Sequence, residues 1–107
     1  MPATLPKTET LALHGEIDMH RSPEIKDLLQ PLIQRKAPRI LLDLSGVTYM
    51  DSSGLAVLIE TLQRVLGYGG KLALFGLQES VRNIFEIARL DQVFEIFRDE
   101  ETALAAD

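Results

Sequence analysis

The stretch that decides the fold of this chain runs from residue 39 to residue 66 and reads RILLDLSGVTYMDSSGLAVLIETLQRVL. It begins with the apolar residues Ile40, Leu41 and Leu42 and continues through Leu44, a pattern typical of a buried strand. Its last part places apolar residues on one face of a helix, at three- and four-residue spacing. These are Leu55, Leu58, Ile59, Leu62, Val65 and Leu66. The stretch therefore predicts a strand, a loop and a helix.

Four small or acidic residues, Asp51-Ser52-Ser53-Gly54, stand between that strand and that helix. Unpaired backbone N–H groups and the helix dipole favour negative charge at such a helix N-terminus. One interpretation is that Ser52 or Ser53 caps the helix while Gly54 allows a tight turn, and general helix preferences favour it. The other is that Ser53 lies exposed in the first turn with Ser52 nearer the cap, and both interpretations can hold together.

Upstream of this unit, the sequence predicts one strand and one helix. Thr10 to His14 alternates in the manner of a strand that ends at Gly15. Ser22 and Pro23 are typical of a helix start, with the Ser22 hydroxyl as the cap. Pro31 interrupts this helix beside its apolar stripe. The stripe consists of Ile25, Leu28, Leu29, Leu32 and Ile33.

Downstream, the chain returns to the same alternation. Residues 67–70 read GYGG and predict a helix stop, followed by a buried strand from Lys71 to Phe75. Apolar spacing over residues 81–88 predicts a third helix, Phe94–Phe97 a last strand, and Asp99 the cap of a short terminal helix. The late apolar residues are interpreted as core: Val93, Phe94, Ile96 and Phe97. Strands alternating with helices indicate an α/β fold with a mostly parallel sheet of four to five strands.

Size and composition indicate one soluble domain spanning residues 1–107. The hydrophobic fraction is 46%, and the formal net charge of −5 gives no general attraction to nucleic acid or anionic lipid. The chain has no cysteine, which excludes disulfides and thiol catalysis. No apolar run approaches the length of a membrane-spanning helix, so no membrane insertion is expected. Met1 to Lys7 carries no apolar signal core, so a cytoplasmic location is expected. The same residues are predicted to form either a frayed tail or a short edge strand.

Several side chains near the predicted loop are candidates for a binding site. Asp18 and Asp51 follow strands at the ends where open α/β sheets collect their sites, although aspartate is also common there as a turn residue. Asp43, inside the apolar run, is interpreted as a structural acid. Tyr49 and Met50 are predicted on the loop before the motif. They are either partner contacts or core residues, and the sequence does not separate the two.

The residues give little support to an enzyme. His14 and His20 are the only histidines, and no set of metal ligands at suitable spacing accompanies them, so neither a metal nor a cofactor is expected. A serine nucleophile elbow would need glycines where this chain has Asp51 and Leu55. Residues 69–71, GGK, lead into a strand and so do not form a phosphate-binding P-loop. We therefore expect a binding module that catalyses nothing itself.

Three segments carry a resemblance to a known family. Residues 43–55, DLSGVTYMDSSGL, closely resemble the signature of STAS domains, and specifically of the bacterial anti-sigma factor antagonists. Residues 13–18, LHGEID, and residues 69–72, GGKL, resemble two further segments of that family. The resemblance covers residues 8–104. It implies a single STAS-type α/β domain whose helices pack chiefly on one face of the sheet.

The resemblance also implies a function and a site. In the family the second serine of the D-S-S-G motif is phosphorylated, and here that serine is Ser53. The unphosphorylated protein is expected to bind an anti-sigma factor that is also a GHKL-type serine kinase. Phosphorylation ends the complex, and a PP2C-type phosphatase restores it. The residues expected around the phosphorylated serine and at the partner surface are Asp18, Tyr49, Met50, Asp51, Ser52 and Gly54.

Two other classes of function stay open at this stage. The domain could be a STAS docking subunit of a transporter, such as a lipid-trafficking ABC complex, without a phosphorylation switch. Such subunits often replace the serine pair, so the intact Ser52-Ser53 favours the switch. An enzyme is the third class, and only serines and acidic residues without a catalytic pattern support it. Either a monomer or a weak dimer is expected.

Overall fold

A computed structural model describes residues 7–106 of the chain. Within these residues, four strands form one sheet in the order β1-β2-β3-β4, and every neighbouring pair is parallel. The elements in chain order are β1 (Thr8–Ile17), α1 (Ser22–Gln34), β2 (Arg39–Met50), α2 (Ser52–Gly67), β3 (Lys71–Phe75), α3 (Glu79–Ile87), a 3-10 turn (Leu90–Gln92), β4 (Glu95–Phe97) and α4 (Glu100–Ala105). The predicted parallel α/β fold is confirmed. The interpretation of residues 1–6 lies outside the described residues.

The main core lies on the face of the sheet that α1, α2 and α3 cover. Alternate residues of β2 point to opposite faces, so Leu42 joins the main core while Leu41 joins a smaller cluster on the other side. Ala103 of α4 covers that smaller cluster. The helices therefore pack chiefly on one face, as predicted, and α4 is the exception.

Two strands are longer than predicted. β1 continues past Gly15 to Ile17, and β2 continues through the segment predicted as a loop to Met50. The two strands pair along this extension, with register shifts between Ala12 and His14 and between Gly15 and Glu16. Such bulges break the two-residue period, which explains why alternation does not identify this part of either strand.

The first turn of α1 is organised by Asp18 rather than by Ser22, which corrects the predicted cap. Arg21 occupies the N-cap position without a side-chain cap bond, and the Ser22 hydroxyl donates to the Met19 carbonyl at 3.3 Å. The Asp18 carboxylate accepts from the backbone N–H groups of His20 and Arg21 at 3.0 and 3.1 Å. Asp18 therefore stabilises the turn that leads into α1.

The C-terminal part differs from prediction at Val93 and at the start of β4, which begins at Glu95 rather than at Phe94. Val93 is 56% exposed and does not belong to the core, whereas Phe94 is buried against Phe85 with the rings edge to face. The predicted cap of the last helix is confirmed, because the Asp99 carboxylate accepts from the N–H of Thr102 at 2.8 Å. α4 is therefore a capped helix that packs on part of the second face of the sheet.

Candidate functional site

The candidate site lies at the carboxyl ends of β1 and β2. Ile17 and Met50 are paired as the last residues of their strands, and the Asp51 N–H donates to the Ile17 carbonyl at 3.2 Å. Asp18 and Asp51 each follow one member of this pair, so both lie at the same edge of the sheet. The first turn of α2, with Ser52 and Ser53, begins at this edge. The fold thus gathers the residues that the two signature segments contribute.

Asp51 is the cap of α2, which corrects the interpretation that a serine caps this helix. Its backbone is extended, and one carboxylate oxygen accepts from the N–H of Ser53 at 2.9 Å and from the N–H of Gly54 at 3.2 Å. The carboxylate therefore satisfies two of the N–H groups that a helix start leaves unpaired. Its negative charge also lies where the helix dipole favours it.

The two serines occupy the first two positions of α2, and they differ in exposure. Ser52 is exposed, whereas Ser53 is half-buried. From the sequence, Ser53 is predicted to be exposed and Ser52 to lie nearer the cap, whereas in the structure Ser52 is the more exposed of the two. Ser53 still lies at the surface, with its own N–H held by Asp51. Its side chain starts from a backbone position that the cap fixes.

Gly54 and Met50 lie beneath the site. Gly54 is buried, and a Cβ on it would come within 2.7 Å of Met50 Cγ and 2.9 Å of the Ile17 carbonyl oxygen. Its role is the close approach of α2 to the strands rather than a tight turn, because its φ is not positive. Met50 is 1% exposed and belongs to the main core, so the core alternative applies to it. Both residues are buried, so neither is placed to touch a partner directly.

Two apolar side chains flank the acidic edge. Tyr49, at the end of β2, is 46% exposed, and Met19, directly after Asp18, is 65% exposed. Aromatic and methionine side chains are enriched in protein interfaces. Of these two residues, Tyr49 is a candidate predicted from the sequence and Met19 is not. The signal was available, because Met19 follows the aspartate of the LHGEID segment in the turn between β1 and α1.

Arg21 is a further residue that the sequence analysis missed. Its guanidinium donates to the backbone carbonyls of His14 and Glu16 at 2.5 and 3.1 Å. Gly15 between them has a φ of +81°, and a Cβ there would come within 2.9 Å of the Arg21 Nη1 atom. The arginine therefore fastens the turn that carries Asp18 and Met19 to the bulge in β1. The spacing of residues in the sequence does not predict a contact of this kind between a side chain and a backbone carbonyl.

The site presents the Ser53 hydroxyl at the protein surface, with the carboxylates of Asp18 and Asp51 at the same edge of the sheet. Within residues 7–106, no three histidine, aspartate or glutamate side chains come together in a way that could hold a metal ion. In the same part of the chain, no helix combines the length and the apolar character needed to cross a membrane.

Comparisons with known proteins identify similar sequences and similar folds. The model of the STAS domain family matches residues 3–103. The anti-sigma-B factor antagonist of Bacillus subtilis is 36% identical over 87 residues, which are 81% of this chain and 79% of that protein. An anti-sigma factor antagonist of Mycobacterium paratuberculosis has a crystal structure that superposes with a TM-score of 0.83 at 25% identity, covering 91% of this chain and 82% of that one. The SulP transporter STAS domain of Vibrio cholerae superposes with a TM-score of 0.74 at 24% identity, over 97% and 84% of the two chains.

Proposed function

This chain belongs to the STAS domain family, and we propose that it is an anti-sigma factor antagonist whose binding is switched by phosphorylation of Ser53. The observation that carries the proposal is the position of Ser53 in the first turn of α2. The Asp51 carboxylate caps that turn, and Asp18 lies at the same edge of the sheet. The curated relative from Bacillus subtilis, which is named an anti-sigma-B factor antagonist, supports the choice of partner.

The geometry supports a switch that works by charge. A phosphate on Ser53 adds roughly −1.5 to −2 charges at neutral pH. The N–H groups of Ser53 and Gly54, which could otherwise receive a phosphate, are already bonded to Asp51. The new charge would therefore face solvent and the partner rather than fold onto the helix N-terminus. A partner surface that fits the unmodified edge would lose affinity through repulsion and desolvation.

The partner that we propose is an anti-sigma factor with GHKL-type serine kinase activity. It binds the unphosphorylated chain, transfers a phosphoryl group from ATP to the Ser53 hydroxyl, and then dissociates. A PP2C-type phosphatase hydrolyses the phosphoserine and restores binding. In this cycle the chain is a substrate of both enzymes and catalyses neither step.

The proposed docking surface follows from exposure. The exposed and half-buried residues at the carboxyl ends of β1 and β2 and at the start of α2 are Asp18, Tyr49, Asp51 and Ser52, and Met19 extends the surface on the β1 side. Gly54 and Met50 serve the same surface from beneath, because they set how closely α2 approaches β1 and β2. The surface thus combines carboxylates with two exposed apolar side chains.

Calorimetry with the purified kinase partner tests the proposal. Ser53→Ala is expected to bind as tightly as the unphosphorylated protein, and Ser53→Asp to bind weakly or not at all. Ser52→Ala, one residue away and more exposed, serves as the matched control and is expected to remain switchable. Equal affinity of Ser53→Ala and Ser53→Asp would refute the switch mechanism.

The alternative of a transporter docking subunit rests on fold alone. The likeness to the transporter STAS domain of Vibrio cholerae is below the identity at which a shared role could be argued. Such a subunit needs no phosphorylation. A chain that is never phosphorylated in its host and that co-purifies with a membrane transporter would favour this alternative.

A further inference from the structure

A groove lies at the edge of the sheet opposite the candidate site. Lys71 and Glu95, the first residues of β3 and β4, lie at this edge, and Leu66 lies in the last turn of α2. The groove has a volume of about 220 Å³. We call it the basal groove, and it is lined by Leu62, Leu66, Lys71, Leu72, Val93 and Glu95. α2 separates it from Ser53 by thirteen residues, or roughly 20 Å at 1.5 Å per residue.

Two apolar side chains of the basal groove are exposed to solvent rather than packed in the main core. Leu66 is 59% exposed and Val93 is 56% exposed, while Leu62 and Leu72 form a buried floor between them. Single exposed apolar residues are ordinary, but two that share one concave apolar surface indicate a contact surface. The proposed kinase docking surface does not use them, because it lies at the other end of α2.

The charges at the groove favour a second copy of the same chain as its occupant. Lys71 and Glu95 are both exposed, and neither forms an ion pair with another residue in the described part of the chain. A two-fold axis brings each side of a surface against the other, so a lysine and a glutamate on one surface can pair reciprocally. A strongly basic partner would instead be repelled by Lys71, and a strongly acidic partner by Glu95. The groove is also locally neutral, although each chain carries a net charge of −5.

We propose that the basal groove is the interface of a weak two-fold dimer of this chain. In this dimer, Leu66 and Val93 pack across the axis, and Lys71 of each copy faces Glu95 of the other. The arrangement leaves both Ser53 edges free and directed away from the interface. A dimer of this kind would present two switchable sites at once. The inference does not depend on the function of the Ser53 edge.

Sedimentation equilibrium of the full chain tests the proposal. The wild type is expected to show a concentration-dependent dimer, and Leu66→Glu to raise its dissociation constant about tenfold or more. Because Leu66 is exposed, this variant is expected to fold. Ile87→Glu is the matched control, since Ile87 is 84% exposed and does not line the groove. A wild type that sediments as a monomer at every concentration would overturn the dimer.

Charge exchange tests the two-fold geometry. Lys71→Glu and Glu95→Lys are each expected to weaken the dimer, and the double variant to restore it, because the double variant recreates both reciprocal pairs. A double variant as weak as the single variants would overturn the proposed pairing. Monomeric wild-type protein that binds another protein through Leu66 would assign the groove to that partner and also overturn the proposal.

Discussion

Gly54 of α2 packs directly against Ile17 of β1. A Cβ on Gly54 would come within 2.9 Å of both the carbonyl oxygen and the Cγ2 atom of Ile17. Approaches of this kind are closer than packed interiors permit, so glycine alone lets α2 begin at this distance from the sheet. The contact joins the two signature segments, LHGEID and DLSGVTYMDSSGL, and it sets the position of Ser53 one residue before Gly54.

Gly54→Ala is therefore expected to destabilise the fold and displace the first turn of α2. Overpacking of this kind typically costs about 1–3 kcal/mol in the free energy of unfolding, which urea denaturation measures. Gly67→Ala is the matched control at the other end of the same helix, where an added Cβ would meet no atom within 4 Å. Because alanine is the better helix former, the control is expected to be neutral or to gain up to about 1 kcal/mol. Equal effects of the two variants would contradict the close-packing role of Gly54.

Two variants of Asp51 separate the contributions of hydrogen bonding and of charge to the stability of the α2 cap. Asp51→Ala removes the acceptor for the Ser53 and Gly54 N–H groups and is expected to lower the free energy of unfolding by about 1 kcal/mol. Asp51→Asn keeps an oxygen acceptor and is expected to retain most of that stability. Thermal and urea unfolding of the pair provide the measurement. If both variants lose the same stability, the carboxylate oxygen does not act as the cap.

The exposed apolar side chains at the site are expected to contribute to binding and not to folding. Tyr49→Ala and Met19→Ala are each expected to weaken the kinase complex about fivefold or more, because aromatic and methionine anchors often dominate interfaces. Surface plasmon resonance measures the loss, and Ile87→Ala supplies the control, since Ile87 is even more exposed but belongs to α3. Unchanged binding by both site variants would place the docking surface elsewhere.

The Asp99 cap of α4 makes part of the stability dependent on pH. Hydrogen bonds from Thr102 hold the pKa of Asp99 below its ordinary range. A lowered pKa means that the ionised carboxylate stabilises the fold fully above the ordinary aspartate pKa. That contribution is lost as the pH falls through the lowered value. Asp99→Asn keeps a cap without a titrating group, so its unfolding free energy is expected to fall less steeply in acid than that of the wild type. Parallel acid profiles of the two proteins would contradict this assignment.

The sequence sufficed for the fold because its strongest patterns coincide with its most buried elements. The apolar residues of the run from Ile40 to Leu44 are buried, and Leu58, Leu62 and Val65 of α2 are core residues, so local pattern and tertiary burial agree there. Lys71–Phe75 was predicted with its observed bounds for the same reason. These segments determine a parallel sheet with helices between its strands.

The details of the site were harder to predict because long-range geometry decides them. The end of β2 was predicted as a loop, since Ser45 to Tyr49 has no regular alternation, yet pairing with the bulged end of β1 makes it a strand. Serine and aspartate are both good caps, and only the backbone angles of Asp51 show which residue caps α2. The close approach at Gly54 and the Arg21 contact with β1 depend on residues distant in the sequence.

Site mapping of the phosphate tests the central claim most directly. The protein is purified from its native host in growing and in stressed cells, and intact-mass and peptide mass spectrometry locate any phosphate. The account predicts one phosphate, confined to Ser53, which persists in Ser52→Ala and disappears in Ser53→Ala. A phosphate on Ser52 in the wild type, or no phosphate under either condition, would contradict it.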